Sequence, residues 1–206
     1  MKTAVRLVDH PLALHALSLL RDRNTGPSDY RALTDRVTAI LAIEASVDLK
    51  VREASIKTPL EEMTGVVLDE PLVVVPILRA GLGMLESVLR LFPDAVVGYL
   101  GLERDEETAV SRSYYQSLPD LQSRTVFLLD PMLATGGSAC NALCSITKLN
   151  PIRTKLLSIV AAPEGLERVT REFPEVEVLT VAIDRELNAR KFILPGLGDF
   201  GDRLFG

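Results

Sequence analysis

The chain has 206 residues, of which 47% are hydrophobic and 25% are charged, and its formal net charge is −5. A chain of this length can bury a large core, and we predict a single domain over residues 1–206. The negative charge argues against a general binding surface for nucleic acid or for an anionic membrane, because both need a basic surface. An anionic ligand must therefore be held by groups within a local site.

Hydropathy along the chain predicts a cytoplasmic protein. No stretch reaches the roughly 18 uninterrupted apolar residues of a membrane span. The N-terminal sequence, MKTAVRLVDHPLALH, lacks the apolar core and the cleavage site of a signal peptide.

Residues 1–70 are predicted to form a largely helical N-terminal segment. Ser28 is a candidate N-cap, because its hydroxyl can accept a hydrogen bond from an amide of the first helical turn. The apolar residues that follow have a spacing near 3.6, the period of an α-helix: Tyr30, Leu33, Val37, Ile40 and Leu41.

From residue 72 onward, short β-branched runs alternate with amphipathic stretches. The predicted strands cover residues 72–78, 95–100, 125–130, 155–161 and 176–183. The predicted helices cover residues 84–92, 138–149 and 163–173. This alternation is typical of an open α/β fold, in which a mostly parallel sheet carries helices on both faces. Such folds bind ligands beyond the carboxyl ends of the strands.

Two segments interrupt the alternation. Residues 101–124 are polar and charged and join two strands, so we expect them to form a lid or a hairpin. Residues 188–206 hold four of the 13 glycines of the chain and are predicted to form neither strand nor helix. Gly196, Gly198 and Gly201 spell G-x-G-x-x-G, but only five residues follow, so no helix is expected and a dinucleotide site is rejected.

The sequence VFLLDPMLATGGSACNAL, residues 126–143, is a candidate phosphate site. A buried strand ends at Asp130, and ATGGS leads into a helix, so the amides of residues 135–138 can converge on an anion at the positive end of the helix. Asp130, at the end of the strand, is poorly placed to face this anion directly and is better placed to accept hydrogen bonds from sugar hydroxyls. On spacing alone, a glycine-rich connection without a ligand explains the pattern equally well.

Two arginines extend this hypothesis. Arg79 follows the strand LVVVPIL directly, where its guanidinium can point into the same crevice. Arg104 lies in the lid-like segment. A single loop arginine is usually solvated, but together the two indicate a ligand that carries a diphosphate as well as a phosphate.

Several motifs together resemble the uracil phosphoribosyltransferase family: VVPILRAGLGM, ERDEET, SYYQSLP, LLDPMLATGGSA, VAAPEGL and ILPGLGDFGDR. The resemblance covers nearly the whole chain and implies the type I phosphoribosyltransferase fold. It implies that uracil and phosphoribosyl diphosphate give UMP and diphosphate with Mg²⁺, which is expected mainly on substrate oxygens. It also implies a homodimer or homotetramer and, for some members, GTP as an effector.

The resemblance also implies the site residues. The phosphoribosyl diphosphate site comprises Arg79, Arg104, Asp130, Pro131, Met132, Leu133, Ala134, Thr135, Gly136, Gly137, Ser138 and Asp199. The uracil site comprises Ile193, Gly198, Asp199 and Phe200, largely through backbone groups, and residues 188–206 would form a hood over the base. The catalytic residues would be Asp130, Arg104 and Asp199.

The chain departs from the family pattern in the hood and in the lid. The usual tail, L-N-x-x-G-Y-I-x-P-G-L-G-D-A-G-D, is altered at Lys191, Phe192 and Phe200. Ser113 and Ser117 replace a usual Pro and Lys in the lid. If Phe200 points into the base pocket, the pocket shrinks. Two alternatives to an active uracil enzyme therefore stay open, a phosphosugar-binding regulator without turnover and an enzyme for another base.

Overall fold

The computed structural model describes residues 5–104 and 111–206, and the side chains of residues 103, 104 and 111–113 lie outside this description. The described strands are β1 (Val5–Leu7), β2 (Val51–Lys57), β3 (Glu62–Leu68), β4 (Leu72–Leu78), β5 (Val96–Val97), β6 (Tyr99–Arg104), β7 (Ser111–Ser117), β8 (Thr125–Leu129), β9 (Met132–Leu133), β10 (Arg153–Ala161), β11 (Glu177–Ile183), β12 (Glu186–Leu187) and β13 (Ile193–Leu194). The described helices are α1 (Pro11–Arg21), α2 (Pro27–Ser46), α3 (Leu82–Leu91), α4 (Gly137–Thr147), α5 (Pro163–Glu172) and α6 (Phe200–Phe205).

The main sheet has the strand order β1-β11-β10-β8-β4-β6-β7, with β5 beside β4 and β9 beside β10. Every pairing in it is parallel except that of β6 with β7. The predicted fold class, an open and mostly parallel α/β sheet, is confirmed.

The central strands are buried on both faces, which explains their continuous apolar sequences. Successive side chains of a strand point to opposite faces, and in β4 Val74 joins one hydrophobic cluster while Val73 and Val75 join another. The first cluster includes residues of α1, α2 and α3, and the second includes residues of α4 and α5. The helices therefore cover the two faces of the sheet.

The N-terminal segment differs from the prediction for residues 1–70. Helices α1 and α2 are present, but β2 and β3 form an antiparallel hairpin in place of further helix. Helix α2 starts at Pro27 with Gly26 as its N-cap, so Ser28 lies inside the first turn. Proline suits the first helical position because the amide that it lacks would have no partner there.

The C-terminal tail also corrects the prediction for residues 188–206. Strand β13 pairs with β12, and the short helix α6 follows the glycine-rich turn. Asp199 caps this helix, because its Oδ1 accepts a hydrogen bond from the Asp202 amide at 3.0 Å. None of the helices in the described part of the chain combines the length and the apolar character needed to cross a bilayer.

Candidate active site

Arg79 and Asp130 both follow strands that end at the same edge of the sheet. Strands β4 and β8 are parallel neighbours, with Pro76 opposite Leu129, so the residues that follow them leave the sheet at the same level. The connection after β4 leads to β6 on one side, and that after β8 leads to β10 on the other. Neighbouring strands whose connections run in opposite directions leave a crevice between them.

A cavity of about 220 Å³ occupies this crevice. Its lining residues come from the ends of β4 and β8, from β6 and from the start of α4: Ile77, Leu78, Arg79, Ala80, Leu102, Asp130, Met132, Ala134, Thr135, Gly136, Gly137, Ser138 and Ala139. The predicted phosphate loop, the Asp130 carboxylate and Arg79 therefore border one cavity.

The loop from residue 134 to 138 reaches α4 through a left-handed residue. Gly136 is the N-cap of α4 with φ of 74°, a conformation that glycine adopts without strain. The amides at the start of a helix carry partial positive charge, and the first turn of α4 contains no acidic residue. This end of the cavity suits an anion.

Pro131 and Leu133 anchor the loop and do not line the cavity. The Pro131 carbonyl accepts hydrogen bonds from the amides of Ile159 and Val160, at 3.0 and 3.2 Å. The Leu133 side chain is 1% exposed in the second hydrophobic cluster. The two residues fix the loop to β10, while Met132 and Ala134 face the crevice.

Burial changes the acidity of Asp130. Its carboxyl lies within the crevice, and burial raises its pKa to about 7, although the Met132 amide, which hydrogen-bonds to the carboxylate, has the opposite effect. A carboxyl with a pKa near neutrality changes its charge in the physiological range. The number of hydrogen bonds that the Asp130 carboxyl can accept therefore depends on pH.

Arg168 is a charged neighbour of the loop that the sequence did not indicate. A Cβ atom on Gly137 would lie 3.5 Å from Nη1 of Arg168, so the guanidinium borders the start of α4. Nε of Arg168 donates to Oε1 of Glu172 at 3.0 Å, which holds the side chain along α5. The close approach of α5 to this loop depends on Gly165, where a Cβ would lie 2.5 Å from the Ala134 carbonyl oxygen.

A second cavity, of about 680 Å³, adjoins the first. The two cavities share Leu78, Arg79, Ala80 and Leu102, and the second is completed by Tyr114, Asp199 and Gly201. Arg79 thus lies between the predicted phosphate loop and the C-terminal tail. Tyr114 was not identified from the sequence.

Phe200 points away from both cavities. Its side chain is 2% exposed and belongs to the first hydrophobic cluster, where its ring contacts Tyr30 edge to face with 5.4 Å between the centroids. The Ile193 side chain is also in this cluster, so both residues can meet a ligand only through backbone groups. Gly198 is exposed and left-handed, with φ of 83°.

The other residues that depart from the family pattern differ in conformation and exposure. Lys191 has φ of 65°, so a side chain occupies a left-handed position where the family pattern has glycine. Phe192 is 46% exposed. The side chains of Arg104 and Ser113 lie outside the described residues, although the backbone of Arg104 ends β6.

The fold resembles that of a solved hypoxanthine-guanine phosphoribosyltransferase from Bacillus anthracis, with a TM-score of 0.54 over 77% of this chain and 80% of that chain. The identity is 11%, so the likeness concerns the fold alone. The parallel sheet, the crevice at its carboxyl edge and the glycine-rich loop define a type I phosphoribosyltransferase fold.

The sequence comparisons identify the family. The family model described as uracil phosphoribosyltransferase matches residues 7–206. A uracil phosphoribosyltransferase of Thermus thermophilus is 48% identical over 204 residues, which cover 98% of each protein. One of Campylobacter curvus is 46% identical over 202 residues, covering 98% of this chain and 97% of the relative. The solved AQ2163 protein of Aquifex aeolicus has a TM-score of 0.95 and 41% identity, over 98% of this chain and 97% of that one. The chain belongs to the uracil phosphoribosyltransferase family.

Proposed function

We propose that the protein transfers the phosphoribosyl group of phosphoribosyl diphosphate to uracil, which yields UMP and diphosphate. The observation that carries this proposal is the pair of adjoining cavities that share Arg79. The first cavity offers a phosphate loop and a carboxylate for a phosphosugar. The second leads to the tail, where exposed backbone at residues 198 and 199 can pair with a pyrimidine.

Each group in the crevice has a role in this reaction. The amides of residues 135–138 bind the 5′-phosphate, and the ionised Asp130 accepts hydrogen bonds from the ribose hydroxyls. The bond from the ribose to diphosphate breaks as the bond to the uracil nitrogen forms, the proton on that nitrogen passes to water or to the departing diphosphate, and negative charge grows on the diphosphate. Arg79 stabilises this charge more in the transition state than in the bound substrate, which accelerates the reaction.

Arg104 and Asp199 complete the proposed catalytic set. Arg104 would add positive charge beside the diphosphate from the hairpin of β6 and β7. Asp199 lines the second cavity, close to where sugar and base would join. Closure of the hairpin over the crevice would exclude water, which could otherwise hydrolyse the reactive sugar.

Mg²⁺ fits this site as a partner of the substrate. It prefers oxygen ligands and usually retains water, so we assign it mainly to the oxygens of the diphosphate and ribose. The carboxylates of Asp130 and Asp199 border the two cavities and are oxygen donors of the kind that it accepts. When bound, the ion would neutralise charge on the departing diphosphate.

The test is an assay of the protein with Mg²⁺, phosphoribosyl diphosphate and, in separate reactions, uracil, cytosine, hypoxanthine and guanine. We expect UMP and diphosphate with uracil and at least tenfold slower turnover with the other bases. Faster turnover with another base would reassign the substrate. Binding of the phosphosugar without release of diphosphate, measured by calorimetry, would indicate a regulator. The same assay with GTP added tests activation by this nucleotide.

Phe200→Ala should affect stability and leave the choice of base unchanged. The buried ring packs on Tyr30, and its removal leaves a cavity that costs about 3 kcal/mol of the free energy of unfolding. Denaturant unfolding and the base panel check this, with Phe205→Ala as the control because Phe205 is 52% exposed on the same helix. A changed ranking of bases with unchanged stability would place the Phe200 ring in the pocket.

We also propose that the protein is a homo-oligomer, either a dimer or a tetramer. The hairpin of β2 and β3 carries large exposed apolar side chains: Val51, Ile56, Met63, Val66 and Leu68. A two-stranded hairpin is only marginally stable alone in water, so a second protomer is expected to cover it. Light scattering at micromolar concentration should give at least twice the mass of 22.5 kDa, whereas a monomer would contradict the proposal.

A further inference from the structure

The turn that leads into the proposed base site is tied to the first helix by a closed set of hydrogen bonds. Nη1 and Nη2 of Arg21, at the end of α1, donate to the Asp184 carboxylate at 2.8 and 2.6 Å. Nη1 also donates to the Gly196 carbonyl oxygen at 2.6 Å. Oδ2 of Asp184 in turn accepts from the Gly196 amide at 2.8 Å. Both backbone groups of Gly196 are therefore held by one ion pair.

This ion pair is well shielded from water. The Asp184 side chain is 5% exposed and that of Arg21 is 24% exposed, and such shielding strengthens hydrogen bonds between charged groups. Gly196 is buried and left-handed, with φ of 61°, and a Cβ there would collide with the Ile193 carbonyl oxygen. The turn has little freedom to adopt another conformation while the pair is intact.

A second arginine holds the next residue of the turn. Nη1 of Arg203 donates to the carbonyl oxygens of Leu197, at 2.8 Å, and of Leu20, and Nη2 donates to that of Asp22 at 2.6 Å. The Arg203 guanidinium also lies over the Tyr30 ring, 4.5 Å from its centroid. The segment from Gly196 to Leu197 is thus fastened to the N-terminal helices from both sides, immediately before Gly198 and Asp199.

We propose that Arg21 and Asp184 are positioning residues for recognition of the base. Neither residue is among those that line the two cavities, but they fix the backbone that presents Gly198 and Asp199 to the second cavity. The inference rests on the proposed base site. Because the base is read there by backbone groups, small movements of the turn change the hydrogen-bond geometry and weaken binding of uracil. The loop of residues 134–138, Asp130 and Arg79 follow β8 and β4 and are not held by this turn, so binding of the phosphosugar depends on the ion pair only through Asp199.

The experiment measures the KM for uracil and the dissociation constant for phosphoribosyl diphosphate with Mg²⁺ in Arg21→Gln and Asp184→Asn. We expect the KM for uracil to rise at least tenfold in both variants and the dissociation constant to stay within twofold of the wild-type value. Arg21→Lys, which keeps the charge, should recover part of the loss. Equal changes in both constants, or an unchanged KM, would overturn the proposal. Asp184→Asn preserves side-chain size and carries the test if Arg21→Gln does not fold.

Arg31→Gln is the matched control. Arg31 also ties the tail to an N-terminal helix, since its Nη1 donates to the Leu204 carbonyl oxygen at 2.9 Å, but it does so beyond the base site. We expect its KM for uracil to stay within twofold of the wild-type value. A rise equal to that of Arg21→Gln would show that any contact that anchors the tail has the same effect, and it would overturn the proposal.

The variant Gly198→Ala tests the proposed base site independently of the ion pair. Alanine is strained at a φ of 83°, so the KM for uracil should rise if this backbone reads the base. No rise would overturn the base site, and with it the role of Arg21 and Asp184. A rise in Gly198→Ala without one in Arg21→Gln and Asp184→Asn would overturn the positioning role alone.

Discussion

Asp130→Asn is expected to lower kcat about a hundredfold or more. The amide keeps the shape of the carboxyl but loses the charged acceptor for the ribose hydroxyls, and each hydrogen bond to a charged group contributes about 1.5 to 3 kcal/mol. The negative carboxylate also stabilises the positive charge that develops on the sugar in the transition state. Initial rates of UMP formation at saturating substrates measure the effect. Near-normal kinetics would remove Asp130 from the site.

The same variant should change the dependence on pH. Because burial raises the pKa of Asp130 to about 7 and the ionised form is the active one, kcat/KM for phosphoribosyl diphosphate should fall as the pH drops through 7 in the wild type. This step should be missing from Asp130→Asn. An identical step in both proteins would assign the titration to another group.

The free energy of unfolding of the wild type should depend on pH in the opposite direction to its activity, and should fall as the pH rises. The pKa of Asp130 rises from 3.8 in the unfolded chain to about 7 on folding, so its favourable contribution is complete below pH 3.8 and is lost as the pH rises to 7. At pH 8 we expect Asp130→Asn to be more stable than the wild type by about 4 kcal/mol, with little difference near pH 4. The free energy of unfolding by denaturant at the two pH values measures this.

Gly81→Ala should destabilise the protein by about 3 kcal/mol and lower kcat/KM for phosphoribosyl diphosphate about tenfold. A Cβ at this position would lie 2.5 Å from the Leu129 carbonyl oxygen and 2.7 Å from the amide nitrogen and the carbonyl oxygen of Ile77. These are backbone atoms of β8 and β4, so the turn that carries Arg79 must move. The φ of Gly81 is −61°, so the effect comes from the lack of space and not from backbone strain.

Gly26→Ala is the control for this variant, since no atom lies within 4 Å of a Cβ at Gly26. Its unfolding free energy should stay within about 1 kcal/mol of the wild-type value, with unchanged kinetics. Thermal unfolding and initial rates on both variants check the pair. Equal effects in the two variants would show that close packing at Gly81 does not position Arg79.

The central sheet could be predicted from the sequence because its strands are buried on both faces. Strand β4 was predicted with its observed bounds, and β8 and β10 within two residues, since continuous β-branched runs are typical of parallel strands. The hairpin of β2 and β3 was missed because its side chains are mostly exposed, and a strand without a buried face lacks a clear apolar period. Helix α6 was missed because six residues give too short a period to detect.

Part of the candidate site could also be predicted from the sequence. Asp130 and the loop after it follow a buried strand, a local pattern that sequence reveals. The direction of the Phe200 side chain depends on Tyr30, which is distant in the chain, so no local pattern could determine it. Arg21 and Asp184 are separated by 163 positions, and their contact follows only from the packing of α1 beside the end of β11.

The proposed function requires that one crevice binds phosphate, ribose and base in the order of the phosphate loop, Asp130 and the C-terminal tail. A crystal structure of the protein with UMP tests it most directly. We predict the phosphate on the amides of residues 135–138, the ribose hydroxyls on Asp130 and the uracil ring on the backbone of residues 198–200, with the Phe200 side chain still against Tyr30. UMP bound elsewhere, or in this crevice with its base away from the tail, would contradict this order of binding.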